Sequence, residues 1–168
     1  PDGEINYDAR AFTSMLYGSK KMVFTIDEVK EQADVVFAAA NASDRDRMEV
    51  AYGMQWMARS AEDLGYYTPY LQAACEASEN STDKKTVKMR KKLSADYALH
   101  IEGDAKKAVD YRKAGMPEGW TDNANMLNNY AWWCFENNIN LDEAEDIARR
   151  GIELAKAGSE KANILDTL

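Results

Sequence analysis

Few side chains in this sequence have a type and spacing that could carry chemistry. His100 is the single histidine among 168 residues. Acid–base or metal work needs partners beside it, because a metal wants several ligands and a hydrolytic base must be held against its nucleophile. Cys75 and Cys134 lie nearly sixty positions apart and form no Cys-x-x-Cys, so local spacing builds neither a redox dithiol nor a zinc knuckle. They read as two buried, reduced thiols, with a long-range disulfide as the alternative in an oxidising compartment. Glu143 and Asp146 stand at a helix start, where the helix dipole accounts for them. The sequons Asn41-Ala42-Ser43 and Asn80-Ser81-Thr82 would carry glycans only in a eukaryotic secreted protein. Tyr52, Trp56, Tyr66, Tyr67 and Tyr70 could line an enzymatic pocket, but core is the default place for aromatics at such spacing. No metal or cofactor is called for, and the reading is non-enzymatic.

Charge narrows the partners. The chain carries a formal −8 and a sequence pI near 4.8. Lys84, Lys85, Lys88, Arg90, Lys91 and Lys92 nevertheless put six positive charges into nine residues. Nucleic-acid binders show a basic balance over the whole domain, and an acidic field repels a polyanion, so the run reads as a solvated helix face. No nucleic acid is expected. No stretch approaches the roughly 20 apolar residues of a membrane span, and Pro1-Asp2-Gly3-Glu4 has neither the basic region nor the apolar core of a signal. A soluble chain, cytoplasmic or periplasmic, is the expectation.

The elements that must position any site are helices. With 25 alanines against seven valines and seven isoleucines, the composition favours helix over strand. Ala9, Phe12 and Leu16 open a first helix that closes at Gly18-Ser19. Thr25 caps a second that ends near Asn41, and Ser43 caps a third that runs to a stop at Gly65. Thr68-Pro69 starts a fourth, a long fifth runs from Lys84 to about Glu102, and a sixth begins near Ala105 and ends at Gly115-Met116-Pro117. Thr121-Asp122 caps a seventh, Asp142 and Glu143 open an eighth, and a ninth follows over Lys161-Ala162-Asn163-Ile164-Leu165. Short turns between them predict antiparallel hairpins.

A repeat runs through the second half. Residues 124–130 align without gaps on 162–168 at a spacing of 38, and Ala108, Asp110, Lys113 and Gly115 precede Ala144, Asp146, Arg149 and Gly151 by 36. A period of this length built from two helices signals a helical solenoid. The residues Leu127, Tyr130-Ala131 and Cys134, then Ala144, Gly151 and Glu153-Leu154, resemble a tetratricopeptide repeat. Asn138 stands where that family usually has glycine, and Lys156 where it usually has proline. The resemblance is clearest over 123–168. It implies an all-α fold of antiparallel hairpins stacked as a superhelix, in one domain over 1–168: N-terminal hairpins over 1–80, a degenerate pair over 81–119, and a clear repeat over 120–168 that runs into the first helix of a next one. Tyr130, Trp133 and Leu154 would fill the space between repeats, with Ala131, Ala144 and Gly151 letting the backbones approach.

In that family the first helix of each pair lines a concave binding face. The resemblance therefore implies a surface of Asn125, Asn128, Asn129, Trp132 and Glu136, continued by Asn163 and Asp166. Asparagine both donates to and accepts from a peptide backbone. The implied function is a non-enzymatic scaffold whose partner is a protein, a peptide or another domain of a longer parent chain. A second copy could join through the open C-terminal end, where Ile164, Leu165 and Leu168 are apolar. The alternative, by resemblance to repeats that follow thioredoxin-like domains, is the helical appendage of a thiol–disulfide oxidoreductase whose catalytic domain lies outside this chain.

Overall fold

The computed structural model describes residues 6–155. Among them are eight α-helices and no strand: α1 (Tyr7–Ser19), α2 (Ile26–Ala38), α3 (Asp44–Ala61), α4 (Thr68–Ala77), α5 (Lys84–His100), α6 (Ala105–Ala114), α7 (Ala124–Glu136) and α8 (Leu141–Leu154). Two 3-10 turns, Leu64–Tyr66 and Trp120–Asp122, complete the regular structure. The all-α expectation holds; the expected ninth helix lies outside the described residues. The chain divides into two compact units, Pro1–Asp104 and Ala105–Leu168. That division puts α5 in the first unit and α6 in the second.

Side chains that satisfy orphan N–H groups set the helix starts. Thr25 and Ser43 each accept from the backbone N–H three residues on, and the carboxylates of Glu28 and Asp46 reach back to close both capping boxes. Asn6, Asp83 and Asn123 cap α1, α5 and α7 with a side-chain oxygen alone, without the return bond of a capping box. Two expected starts move. Helix α7 begins from Asn123, because Thr121 and Asp122 are taken up in the 3-10 turn before it. Thr68 is the first residue of α4 rather than its cap, and its hydroxyl donates back to the Leu64 carbonyl at 3.2 Å.

Two expected stops move as well, the first being that of α2, which ends at Ala38 rather than near Asn41. Helix α3 ends three residues before Gly65, at Glu62, which adopts the left-handed conformation (φ 54°). The Asp63 N–H then returns to the Ala58 carbonyl at 3.0 Å and the Glu62 N–H to that of Arg59 at 3.3 Å, a Schellman closure with a non-glycine at its turning point. Asp63 is thereby free to accept from the Gly65 N–H at 2.7 Å and start the next turn.

In the first unit α3 is central, packed against α1, α2, α4 and α5. It buries Met48, Val50, Ala51, Met54, Met57 and Ala58, which meet Phe12, Val29, Val36, Leu71 and Leu93 from the surrounding helices. Gly53 permits the closest approach: a Cβ there would sit 2.8 Å from the Phe12 ring and 2.9 Å from Leu16 Cδ2. One carboxylate is enclosed in this core. Asp96 is 7% exposed, and its Oδ2 accepts from the Tyr67 hydroxyl at 3.0 Å and from the Gln55 amide. Burial without those donors would be costly.

In the second unit α7 and α8 form an antiparallel hairpin closed over residues 137–140. Leu127, Tyr130, Ala131, Trp133 and Cys134 of α7 are buried with Ala144, Ala148 and Gly151 of α8, so small side chains face the aromatic row and let the backbones close. Asn138 takes a positive φ of 51° at the end of α7. The Ile139 N–H returns to the Cys134 carbonyl at 3.1 Å and the Asn138 N–H to that of Phe135 at 3.0 Å, so asparagine fills the glycine position of a second Schellman closure. Leu154 does not join the core as expected. It lies in the last turn of α8 and is 45% exposed.

Candidate functional site

Burial of one side of α7 leaves the other to solvent. Asn125, Asn129, Trp132 and Glu136 are exposed and Asn128 is half-buried, and their spacing of three and four residues puts all five on one stripe of the helix. Phe135 borders that stripe. It is 58% exposed, and its ring lies 5.5 Å from that of Trp132, which is 41% exposed. The structure thus brings five of the seven expected binding residues together. Asn163 and Asp166 lie outside the described residues.

A polar cluster fixes the turn end of this hairpin. Glu143, at the start of α8, accepts from Lys113 Nζ at 2.6 and 2.7 Å, from the Tyr130 hydroxyl at 3.2 Å and from the Asn140 amide. The Asn140 amide also reaches the Tyr130 oxygen at 3.0 Å. The Lys113 hydrogen bond holds the Glu143 carboxyl below its ordinary range. Burial pushes both the Tyr130 phenol and the Cys134 thiol up, so at neutral pH each keeps its proton. Arg112 places its guanidinium 5.3 Å from the centre of the Trp133 ring, tying α6 to the hairpin beside the Lys113 ion pair. The cluster therefore orients the exposed stripe of α7 from behind.

The remaining chemical candidates, Cys134 apart, sit in the first unit. His100 lies one helical turn from Asp96, and burial lowers its pKa against the pull of that carboxylate. Cys75 is partly buried and Cys134 buried, both as free thiols. Burial raises the Cys75 pKa to about 11, so the nucleophilic thiolate is scarce at neutral pH. The five aromatics, for which core is the default and a pocket the alternative, do not stay together. Tyr67 and Tyr70 are core residues, Tyr66 donates to Asp27 at 3.0 Å, and only Tyr52 and Trp56 reach a surface cleft. A larger cleft of about 990 Å³ lies beside the N-termini of α3 and α5, where Ser43, Asp46 and Asp83 are already engaged in their own helix caps. Among the described residues no group of three metal-ligating side chains is gathered, and no helix is long and apolar enough to cross a membrane.

Two residues without a sequence signal of their own, Tyr17 and Lys20, join Tyr52, Trp56 and Lys92 elsewhere. Lys20, just after α1, lies over the rings of both Tyr17 and Trp56 across the α1–α3 groove, and Lys92 from the basic run reaches Tyr52. The spacing of Tyr17 to Lys20 and of Tyr52 to Trp56, three and four residues on helical segments, is the signal that pairs them. No protein-family model, curated protein or solved structure matches the chain.

Proposed function

We propose that the chain is a non-enzymatic helical-repeat module that holds a protein or peptide segment along the exposed stripe of α7, its hairpins stacked as tetratricopeptide-like units. The observation that carries this reading is that stripe itself: a ladder of asparagines beside an exposed aromatic pair, on a helix whose opposite side is locked to α8 and α6. The amides Asn125, Asn128 and Asn129 suit main-chain recognition, which tolerates many sequences. Trp132 and Phe135 supply the apolar anchor that a ladder of amides lacks. A rigid helix backed by a packed hairpin is the kind of support on which such a surface keeps its geometry. The partner is a separate peptide or a further domain of the same parent chain.

A phage-displayed library of unstructured peptides, selected on the full chain, tests the proposal. Recovered peptides are expected to lose about tenfold or more of their affinity for the Asn129→Ala/Trp132→Ala double variant, a loss of the size seen at interface anchors. Both positions are exposed, so the circular dichroism of the variant should match that of the parent. Peptides that bind parent and variant alike would overturn the assignment of this face.

A further inference from the structure

The groove between α1 and α3 in the first unit has the features of a second binding surface. It encloses about 470 Å³, within the range of small ligand sites and enough for the few side chains that one face of a helix inserts. Its floor is apolar, built from Phe12, Leu16, Gly53 and Met89. Its rim is aromatic: Tyr17, Tyr52 and Trp56 are 64%, 48% and 38% exposed. Gly53 sets the depth, since any Cβ there would run into Phe12 and Leu16. Solvent-facing aromatics gathered over an apolar floor are unusual on a surface that only solvates a fold.

Cations are held over those rings. Lys20 Nζ lies 4.9 Å from the centre of the Trp56 ring and 5.6 Å from that of Tyr17, and Lys92 Nζ lies 5.8 Å from that of Tyr52. Among the described residues neither lysine forms an ion pair, whereas the one groove carboxylate, Glu49, already accepts from Arg45 Nε at 2.9 Å. A ring face contacts an ammonium without consuming its acceptor-seeking N–H groups, so both lysines stay available to a carboxylate. The positive side extends along α5, where Lys85, Lys88 and Lys92 share one face by their spacing. Lys84 and Lys85 also stand in the first turn of that helix, the end at which the dipole disfavours positive charge.

We infer that this groove binds an acidic amphipathic helix, with aliphatic or aromatic anchors against the half-buried Leu16 and Met89 and carboxylates on Lys20 and Lys92. The overall charge of −8 favours a short peptide over a nucleic acid, because a long polyanion would also meet the acidic remainder of the surface. Three helical peptides of about four turns, sharing one Leu/Phe face and differing only in flanks of Glu, Gln or Lys, provide the probe. Fluorescence anisotropy with the full chain should rank them Glu, then Gln, then Lys, with the Glu peptide weakened by salt. The Lys20→Glu/Lys92→Glu variant, altered only at exposed positions, should bind the Glu peptide about tenfold or more less tightly and reverse the ranking. Asn129→Ala/Trp132→Ala should leave this binding unchanged, which separates it from the α7 surface. No binding by any of the three, a ranking indifferent to charge, or a Glu peptide unaffected by the double charge reversal would overturn the inference. It would also fall if an oligothymidine of about ten nucleotides displaced the Glu peptide at equal concentration, assigning the groove to nucleic acid. Light scattering covers self-association: a dimer abolished by the charge reversal would assign the groove to a second copy of the chain.

Discussion

Each unit holds a carboxylate between a tyrosine hydroxyl and a side-chain amide, at different depths, and the second adds the Lys113 ion pair. In the first, Asp96 accepts from a tyrosine hydroxyl and a glutamine amide; in the second, Glu143 accepts from a tyrosine hydroxyl and an asparagine amide. Asp96 is 7% exposed and sits inside a core of long, flexible side chains, whereas the Glu143 side chain is 39% exposed at the margin of a hairpin packed on alanine and glycine. The difference predicts that depth outweighs the number of hydrogen bonds in what a carboxylate contributes, since Glu143 has more partners and the shallower place. Inside, each donor must be matched because water cannot replace it; at the rim, water substitutes and salt screens.

Breaking the deeper cluster should give the largest effect. Asp96→Ala strands the Tyr67 hydroxyl in the core and is expected to lower stability by about 2–4 kcal/mol, measured by urea unfolding. A loss no greater than that of Glu143→Gln would erase the distinction between the units. Glu143→Gln itself should cost less than about 1 kcal/mol at neutral pH, given its exposure. Because the folded-state pKa of Glu143 is depressed below 4.5, its contribution is present above that value and is lost as pH falls through the lower one. Parent and variant stabilities should therefore converge on acidification, and a constant gap down to about pH 3 would contradict the Lys113 pairing. The smallest effect on stability, but a sharp one on reactivity, concerns Cys75. With its pKa near 11 against an ordinary 9.0, iodoacetamide labelling of the native chain at neutral pH should run about 100-fold slower than that of a free thiol. Fast labelling would show that the thiol is not buried as described.

Helix starts were legible in the sequence wherever a cap competes with nothing else. Thr25 and Ser43, each followed three residues on by an acid, are the examples. Helix ends were less legible, since a left-handed turning residue need not be glycine. Gly65 drew the stop of α3 three residues too far because Glu62 bears the positive φ, and Asn138 does in the α7–α8 turn what glycine does elsewhere. The exposed stripe of α7 followed from helical periodicity together with the repeat, since one buried face defines its opposite. The α1–α3 groove did not. Its cation–aromatic pairs join residues 36 and 40 positions apart, from Lys20 to Trp56 and from Tyr52 to Lys92, and only tertiary packing brings them together, for the first pair through the α1–α3 approach that Gly53 permits.

The methionines of the first unit carry a consequence for oxidative chemistry. Met48, Met54 and Met57 are at most 1% exposed, so a peroxide reaches their sulfurs only when the unit opens. Met22, at the turn after α1, is 94% exposed and makes no part of the core. Its sulfoxide forms first and leaves the packing intact. The order in which these four sulfurs gain oxygen thus records how often the first unit opens, with Met22 as the internal clock for oxidant dose.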